Sequence, residues 1–124
     1  MLQRGNLYDH QPAPDVGEVF EDLLRHQGLR IERITSSSRP DSGLYDQPGD
    51  EWVVLLTGRA RLEVNGEPVL LGPGDFLFIP ARTPHRVLET SSTPRCTWLA
   101  VHLEVGPSAP TGENSDASSA TASD

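Results

Sequence analysis

The hydrophobic residues before position 28 recur with the period of an α-helix. Five apolar residues fall at positions i, i+3, i+4, i+7 and i+8 of one segment: Val16, Val19, Phe20, Leu23 and Leu24. Asp15 stands where a helix N-cap is expected, with Glu18 three residues later, and Gly28 stands where a helix commonly ends. This pattern predicts one short N-terminal α-helix over residues 15–27, preceded by a polar arm at 1–14.

After residue 28 the pattern changes to short apolar runs separated by Gly, Pro and Asn turns. The pair Asn65-Gly66 is a strong signal for a tight hairpin, because both residues tolerate a positive φ. The runs predict seven strands, at residues 29–35, 51–57, 59–65, 68–71, 75–79, 85–89 and 96–104. Many short strands joined by turns indicate an all-β sandwich or barrel.

The length of 124 residues is that of a single domain. From residue 106 the composition shifts to Ser, Ala, Thr, Pro, Gly and acids, with no large apolar side chain. Such a segment cannot bury enough surface to offset the entropy of ordering it. The expected organisation is an N-terminal arm and helix at 1–28, a barrel at 29–105 and a disordered acidic tail at 106–124.

The charge of the chain argues against a nucleic-acid partner. Its net charge is −8, and all 10 basic residues are Arg without forming a basic stripe. No apolar run approaches the ~18 residues of a membrane span, and the N-terminus lacks the apolar core of a signal peptide. We therefore expect a cytoplasmic protein. Cys96 is the one cysteine, which excludes an intrachain disulfide and predicts a small buried residue.

Two stretches in the middle of the chain carry residues that can bind a metal at the ends of predicted strands. In the first stretch, six residues separate Glu51 from Gly58. In the second, five residues separate Gly74 from Pro80, and four separate Pro80 from His85. Carboxylate and imidazole are both common ligands of divalent metals.

This spacing resembles the two motifs of the cupin superfamily, which are small jelly-roll barrels. In that family the first motif runs Gly, His-x-His, three or four residues, Glu, six residues, Gly. The second runs Gly, five residues, Pro-x-Gly, two residues, His, three residues, Asn. Here Arg82 replaces the second motif's middle glycine and Glu89 replaces its asparagine. The resemblance covers about residues 29–105 and implies a double-stranded β-helix fold, the jelly-roll barrel.

The resemblance also implies a homodimer, and protection of strand edges favours pairing through the N-terminal strand. In cupins the two early His, the Glu and the later His bind one divalent metal inside the barrel. Here the early positions fall on Tyr45 and Gln47 with the shorter spacing, or on Leu44 and Asp46 with the longer one. The implied metal ligands are Glu51, His85, Gln47 and Tyr45, with Asp46 and His102 as further candidates, for Zn, Mn, Fe or Ni.

The orientation of His102 has two alternatives. It joins the pocket if Trp98, Ala100 and His102 face inward. It is a surface residue if the alternate residues, Leu99, Val101 and Leu103, face inward, and their greater apolar character favours this second arrangement. Asp46 is expected on the opposite side of its segment from Tyr45 and Gln47, because successive side chains of an extended chain alternate.

Two classes of function remain open from the sequence. The first is a metal-dependent enzyme that acts on a small carbonyl compound, sugar or acid inside the barrel. The second is a non-catalytic cupin that binds a small ligand, as a sensor or accessory protein. Without a metal, Glu51 and His85 in one apolar cavity could still move a proton. Under either reading the predicted partner is a small molecule, and whether the protein is an enzyme stays undecided.

Overall fold

The computed structural model describes residues 2–9, 11–12 and 14–104. These residues form eight strands: β1 (Glu18–His26), β2 (Leu29–Ser36), β3 (Asp50–Thr57), β4 (Ala60–Val64), β5 (Glu67–Leu71), β6 (Phe76–Ile79), β7 (His85–Thr90) and β8 (Thr97–Leu103). In this part of the chain no helix is long and apolar enough to cross a membrane. The predicted disordered tail, 106–124, lies outside the described residues.

The strands form two antiparallel sheets. One has five strands in the order β1-β2-β8-β3-β6, and the other has three in the order β5-β4-β7. Alternate residues of both sheets meet in a core that consists of Val53, Leu55, Ala60, Leu62, Leu71, Ile79, Cys96, Trp98 and Ala100. This arrangement confirms the predicted all-β jelly-roll barrel, and Cys96 is buried and free as expected.

All seven strands predicted after residue 28 are present, and each end lies within one residue of the prediction. The hairpin signal is also confirmed. Asn65 and Gly66 have φ values of 52° and 85° and join β4 to β5. Positive φ at both central residues is what a two-residue hairpin requires, so the turn chemistry fixed this part of the register.

The predicted N-terminal helix at 15–27 is wrong, because this segment forms strand β1. Gln27 and Gly28, with φ values of 50° and 82°, make a tight turn that pairs β1 with β2. A bulge between Asp22 and Leu24 shifts the register and breaks the two-residue alternation. The apolar residues therefore acquired a helix-like spacing, and pairing with β2 supplied the backbone hydrogen bonds that a helix would have made internally.

The described part of the N-terminal arm lies against the outer side of β2 and β8. An Arg33 guanidinium nitrogen donates a hydrogen bond to the Leu7 carbonyl oxygen at 3.1 Å. The Thr97 hydroxyl donates to the Gln11 side-chain oxygen at 2.6 Å. Since Arg33 is directly opposite Leu99 in the sheet, the arm contributes to covering the outward-facing residues of these two strands.

Candidate functional site

A cavity of about 100 Å³ opens inside the barrel, next to the apolar core. Its apolar wall comes from both sheets and consists of Ile34, Val53, Leu62, Ile79, Val87 and Trp98. Its polar groups come from β1, β2, β3, β7, β8 and the segment before β3. A cavity of this kind, mostly apolar with a few converging polar groups, is typical of a small-ligand site.

Glu51 and His85 face each other across this cavity. Glu51 lies near the start of β3 and His85 is the first residue of β7, and their side chains are only 10% and 8% exposed. His85 Nε2 lies 3.8 Å from Glu51 Oε1. This separation is too long for a direct hydrogen bond. The two polar atoms therefore leave a gap in which an atom of a ligand can contact both.

The backbone fixes which nitrogen of His85 faces the cavity. His85 Nδ1 lies 2.9 Å from the carbonyl oxygen of Thr83, which can only accept a hydrogen bond. Nδ1 must therefore carry the proton in this contact. In the neutral ring Nε2 is then unprotonated, and its lone pair is directed to the side where Glu51 lies. This tautomer makes Nε2 a base or a metal ligand.

Gln47 and Tyr45 hold this pair in place. The Gln47 side-chain amide donates a hydrogen bond of 2.5 Å to Glu51 Oε1. The Tyr45 ring stacks on the His85 ring with centroids 5.6 Å apart and an interplanar angle of 25°. The two residues also exchange backbone hydrogen bonds of 2.7 and 2.9 Å. Burial, together with the charges of Glu18 and other nearby carboxylates, raises the pKa of Tyr45, so its hydroxyl stays a neutral phenol.

A second buried pair lines the cavity beside the first. His102 Nε2 lies 2.8 Å from Glu32 Oε2, and both side chains are less than a tenth exposed. The other Glu32 oxygen accepts a hydrogen bond of 2.8 Å from Arg30. Glu51 and His102 are directly opposite in neighbouring strands, so both face the interior. Of the two arrangements left open for His102, the inward one is therefore correct, and the apolar pattern of β8 favoured the wrong one.

The reason for this error lies on other strands. Trp98 and Ala100 are buried and share the inner face of β8 with His102. Glu32 on β2 satisfies the imidazole, which the sequence of β8 alone cannot reveal. Glu32 itself was missed, although it alternates in phase with Ile34, an apolar wall residue of the cavity.

Glu18 is a further cavity residue that sequence reasoning did not select. Its Oε2 atom is buried and has no hydrogen-bond partner among the described residues. Burial raises the pKa of Glu18, the charge of Asp41 raises it further, and a backbone hydrogen bond from Asp41 partly opposes both effects. An acceptor oxygen without a partner beside a cavity is available to a donor on a bound molecule.

Asp46 lies outside the cavity, as the alternation along the chain predicted. Its carboxylate is 3.8 Å from Arg82, whose side chain is two-thirds exposed. The backbone N–H of Arg82 donates to the Gln47 carbonyl oxygen at 2.8 Å. Arg82 has a φ of 59°, a conformation that favours Gly, at the position where the motif carries Gly. These contacts join the loop before β7 to the segment that carries Gln47.

The donor set fits a metal ion only in part. With metal–ligand bonds of about 2.1 Å, the 3.8 Å between Glu51 Oε1 and His85 Nε2 corresponds to an angle of about 130° at a shared ion. Within the described ranges, no group of three or more His, Cys, Asp or Glu side chains could hold a metal. Gln47 and Tyr45 add only neutral oxygens. This set is short of the three or four strong protein ligands that hold a resident ion tightly.

Comparison with known proteins gives one consistent result. The sequence profile of the cupin domain matches residues 39–102. A solved structure from Ralstonia eutropha JMP134, assigned provisionally as a mannose-6-phosphate isomerase, is 40% identical and superposes with a TM-score of 0.76 over 84% of this chain and 100% of that one. A comparison with curated proteins gives no match.

More distant solved structures share the fold. An RmlC-like cupin from Desulfovibrio desulfuricans is 19% identical, with a TM-score of 0.71 over 83% of this chain and 97% of that one. The Fe(II) protein HppE is 20% identical, with a TM-score of 0.60 over 69% of this chain and 50% of that one. At these identities the similarity concerns the architecture of the barrel.

Proposed function

We propose that this chain, which belongs to the cupin superfamily, binds a small polar molecule inside its barrel, between Glu51 and His85. The observation that carries the proposal is the 3.8 Å gap between a carboxylate oxygen and an imidazole nitrogen, both buried and both lining one cavity. Two such groups that do not bond to each other are placed to contact a third group.

The chemistry that this pair supports best is proton transfer. His85 Nε2 can take a proton from a bound molecule, for example from the hydroxyl-bearing carbon next to a carbonyl group, and return it to the carbonyl carbon, while the hydroxyl proton passes to the former carbonyl oxygen. Glu51 lies close enough to stabilise the protonated ring while it holds the proton. Such a transfer is an isomerisation, and the similar Ralstonia protein carries an isomerase description. A binding protein without catalysis uses the same contacts, and turnover separates the two.

A metal-dependent function is the second candidate, because Glu51 and His85 lie close enough for both side chains to reach one ion. Gln47 and Tyr45 would add neutral oxygen ligands. His102 would first have to leave Glu32, and Asp46 lies outside the cavity. When bound, a divalent ion such as Zn, Mn, Fe or Ni would polarise a carbonyl group of the ligand.

Elemental mass spectrometry of protein purified without tag or chelator separates the two candidates. The first candidate predicts far less than one metal per chain, unchanged in Glu51→Gln and His85→Ala. Near-stoichiometric metal that both variants lose would establish the second. A Glu63→Gln variant, altered on an exposed ion pair with Arg86, controls for unspecific binding to surface carboxylates.

We also propose that the chain forms a homodimer through the outer face of β3 and β6. Phe76 and Phe78 are 61% and 52% exposed there, and Phe76 packs against Trp52 with ring centroids 5.4 Å apart. β6 is the last strand of its sheet, so its outer edge adjoins this apolar surface. A second copy of the same chain would cover both features at once.

A further inference from the structure

The cavity surrounds its ligand with negative charge. Three carboxylates line it, from Glu18, Glu32 and Glu51, and no Arg or Lys side chain of the described residues does. Arg30, which bonds to Glu32, also contacts the Glu104 carboxylate at 2.9 Å and is not part of the lining. A phosphate group carries a charge of about −1.5 to −2 at neutral pH. Inside this cavity it would meet carboxylates, and the nearby cation Arg30 already pairs with Glu32 and Glu104.

The carboxylate and imidazole atoms of the cavity that lack a hydrogen-bond donor are acceptors, while the neutral Tyr45 hydroxyl is a donor as well as an acceptor. Glu51 Oε1 and Glu32 Oε2 already have neighbours, Gln47 and His102. Glu18 Oε2 has none among the described residues, and His85 Nε2 presents a lone pair in the tautomer that Thr83 selects. A ligand that satisfies these atoms must donate hydrogen bonds, as a hydroxyl group does. Phosphate and carboxylate groups, which are acceptors when ionised, cannot.

The cavity is small, at about 100 Å³. Because a cavity of about 150 Å³ holds a molecule the size of benzene, a compound of about three carbons with its hydroxyl groups is of the right scale. The mostly apolar wall, and the partners that Glu32 and Glu51 already have, make the burial of a charged ammonium group costly as well.

From these features, and on the basis of the function proposed above, we infer that the ligand is a small uncharged polyol or hydroxycarbonyl compound. The cavity rejects the phosphorylated and carboxylated relatives of that ligand. The sugar-phosphate substrate in the description of the Ralstonia protein therefore does not transfer to this chain.

A matched set of three-carbon probes tests this inference. Glycerol and dihydroxyacetone are the uncharged members, their monophosphates and glycerate are the anions, and 2-amino-1,3-propanediol is the cation. Binding is followed by NMR through the methyl resonances of Val53, Leu62 and Val87, which line the cavity. We expect at least one uncharged probe to shift these methyls in the millimolar range, and each anion to bind at least about tenfold more weakly than its parent.

Two variants connect the result to the cavity charge. Glu18→Gln removes one negative charge. It should reduce the ratio of the affinity for an uncharged probe to the affinity for its phosphorylated form. Glu67→Gln, on an exposed residue of β5 outside the cavity, should leave that ratio unchanged. If an anion or the amine shifts the same methyls and binds more tightly than the uncharged probes, the inference is overturned while the proposed binding function stands. If no probe shifts the cavity methyls, both are overturned.

Discussion

At the scale of single residues, the cavity is a set of carboxylates with unequal surroundings. Glu51 has Gln47 as a hydrogen-bond donor, and Glu32 has both Arg30 and His102. Glu18 Oε2 is buried without a donor among the described residues. Removing a partnered carboxylate leaves its donors unsatisfied, whereas a carboxylate oxygen buried without a donor costs the fold free energy. These differences give each residue its own predicted response to substitution.

The ionised Glu18 carboxylate should lower the free energy of unfolding at neutral pH. Because burial raises its pKa in the folded state, the penalty is complete above the folded pKa and disappears below the ordinary value of 4.5. Glu18→Gln should therefore stabilise the protein at pH 7, by about 0.5 kcal/mol or less since the site is half exposed. The gain should vanish as the pH falls below about 4. Urea denaturation across this pH range measures it, and a gain that grows on acidification would contradict the account.

Glu32 should be essential for stability, because its removal leaves buried His102 without its acceptor and takes one of the acceptors of Arg30 away. Glu32→Ala is expected to lower the free energy of unfolding by about 3 kcal/mol, the usual cost of breaking a buried pair. Glu63→Ala breaks an ion pair whose side chains are both 37% exposed, and should cost less than about 1 kcal/mol. Equal losses in the two variants would show that the Glu32 pair is not buried in solution.

At the scale of elements, turns determined what the sequence could reveal. Gly and Pro residues bounded the seven later strands, so their limits were predictable to within one residue. The segment before Gly28 failed because a bulge in β1 imitates helical spacing, and Gly28 serves a hairpin as readily as a helix end. The orientation of His102 stayed open for a related reason. Its partner Glu32 lies on another strand, and the sequence of one strand does not predict which residues of another strand it will face.

The motif glycine at position 58 shows how a turn supports the core. Gly58 has a φ of 88°, and a Cβ there would lie 2.9 Å from the Cα of Cys96. Gly66 has a similar φ of 85° but open space around it. Gly66→Ala should therefore cost only the strain of the left-handed conformation, about 1–2 kcal/mol. Gly58→Ala should cost a further ~1–3 kcal/mol from overpacking. Thermal unfolding of both variants checks this difference, and equal costs would rule out the close contact.

At the scale of the whole molecule, the two faces of the five-stranded sheet differ in structural role. Its inner face builds the cavity, and its outer face is covered by the N-terminal arm near β2 and β8 but exposes aromatic rings at β6. The pattern of strands and turns predicted the barrel, and the resemblance of two motifs to those of cupins predicted that Glu51 and His85 converge. Neither revealed Glu18, which lies on the strand that was taken for a helix.

The homodimer proposed for this face can be tested by one substitution. Phe78→Asp should raise the dimer dissociation constant by about tenfold or more, since a buried Phe contributes about 1.5–3 kcal/mol. Light scattering coupled to size-exclusion chromatography measures the mass. Leu70→Asp, at a residue 75% exposed on the other sheet, should leave the dimer intact. A wild-type protein that stays monomeric at high concentration would refute the proposal.

The most direct test of the central claim is the tautomer of His85. A long-range ¹H–¹⁵N spectrum of histidine-labelled protein, recorded where the rings are neutral and assigned with His85→Ala, distinguishes the two ring nitrogens. The structure predicts a proton on Nδ1, bonded to the Thr83 carbonyl, and an unprotonated Nε2 that faces the cavity opposite Glu51. A proton on Nε2 instead would mean that His85 offers the cavity neither a base nor a metal ligand, and would contradict the proposed function.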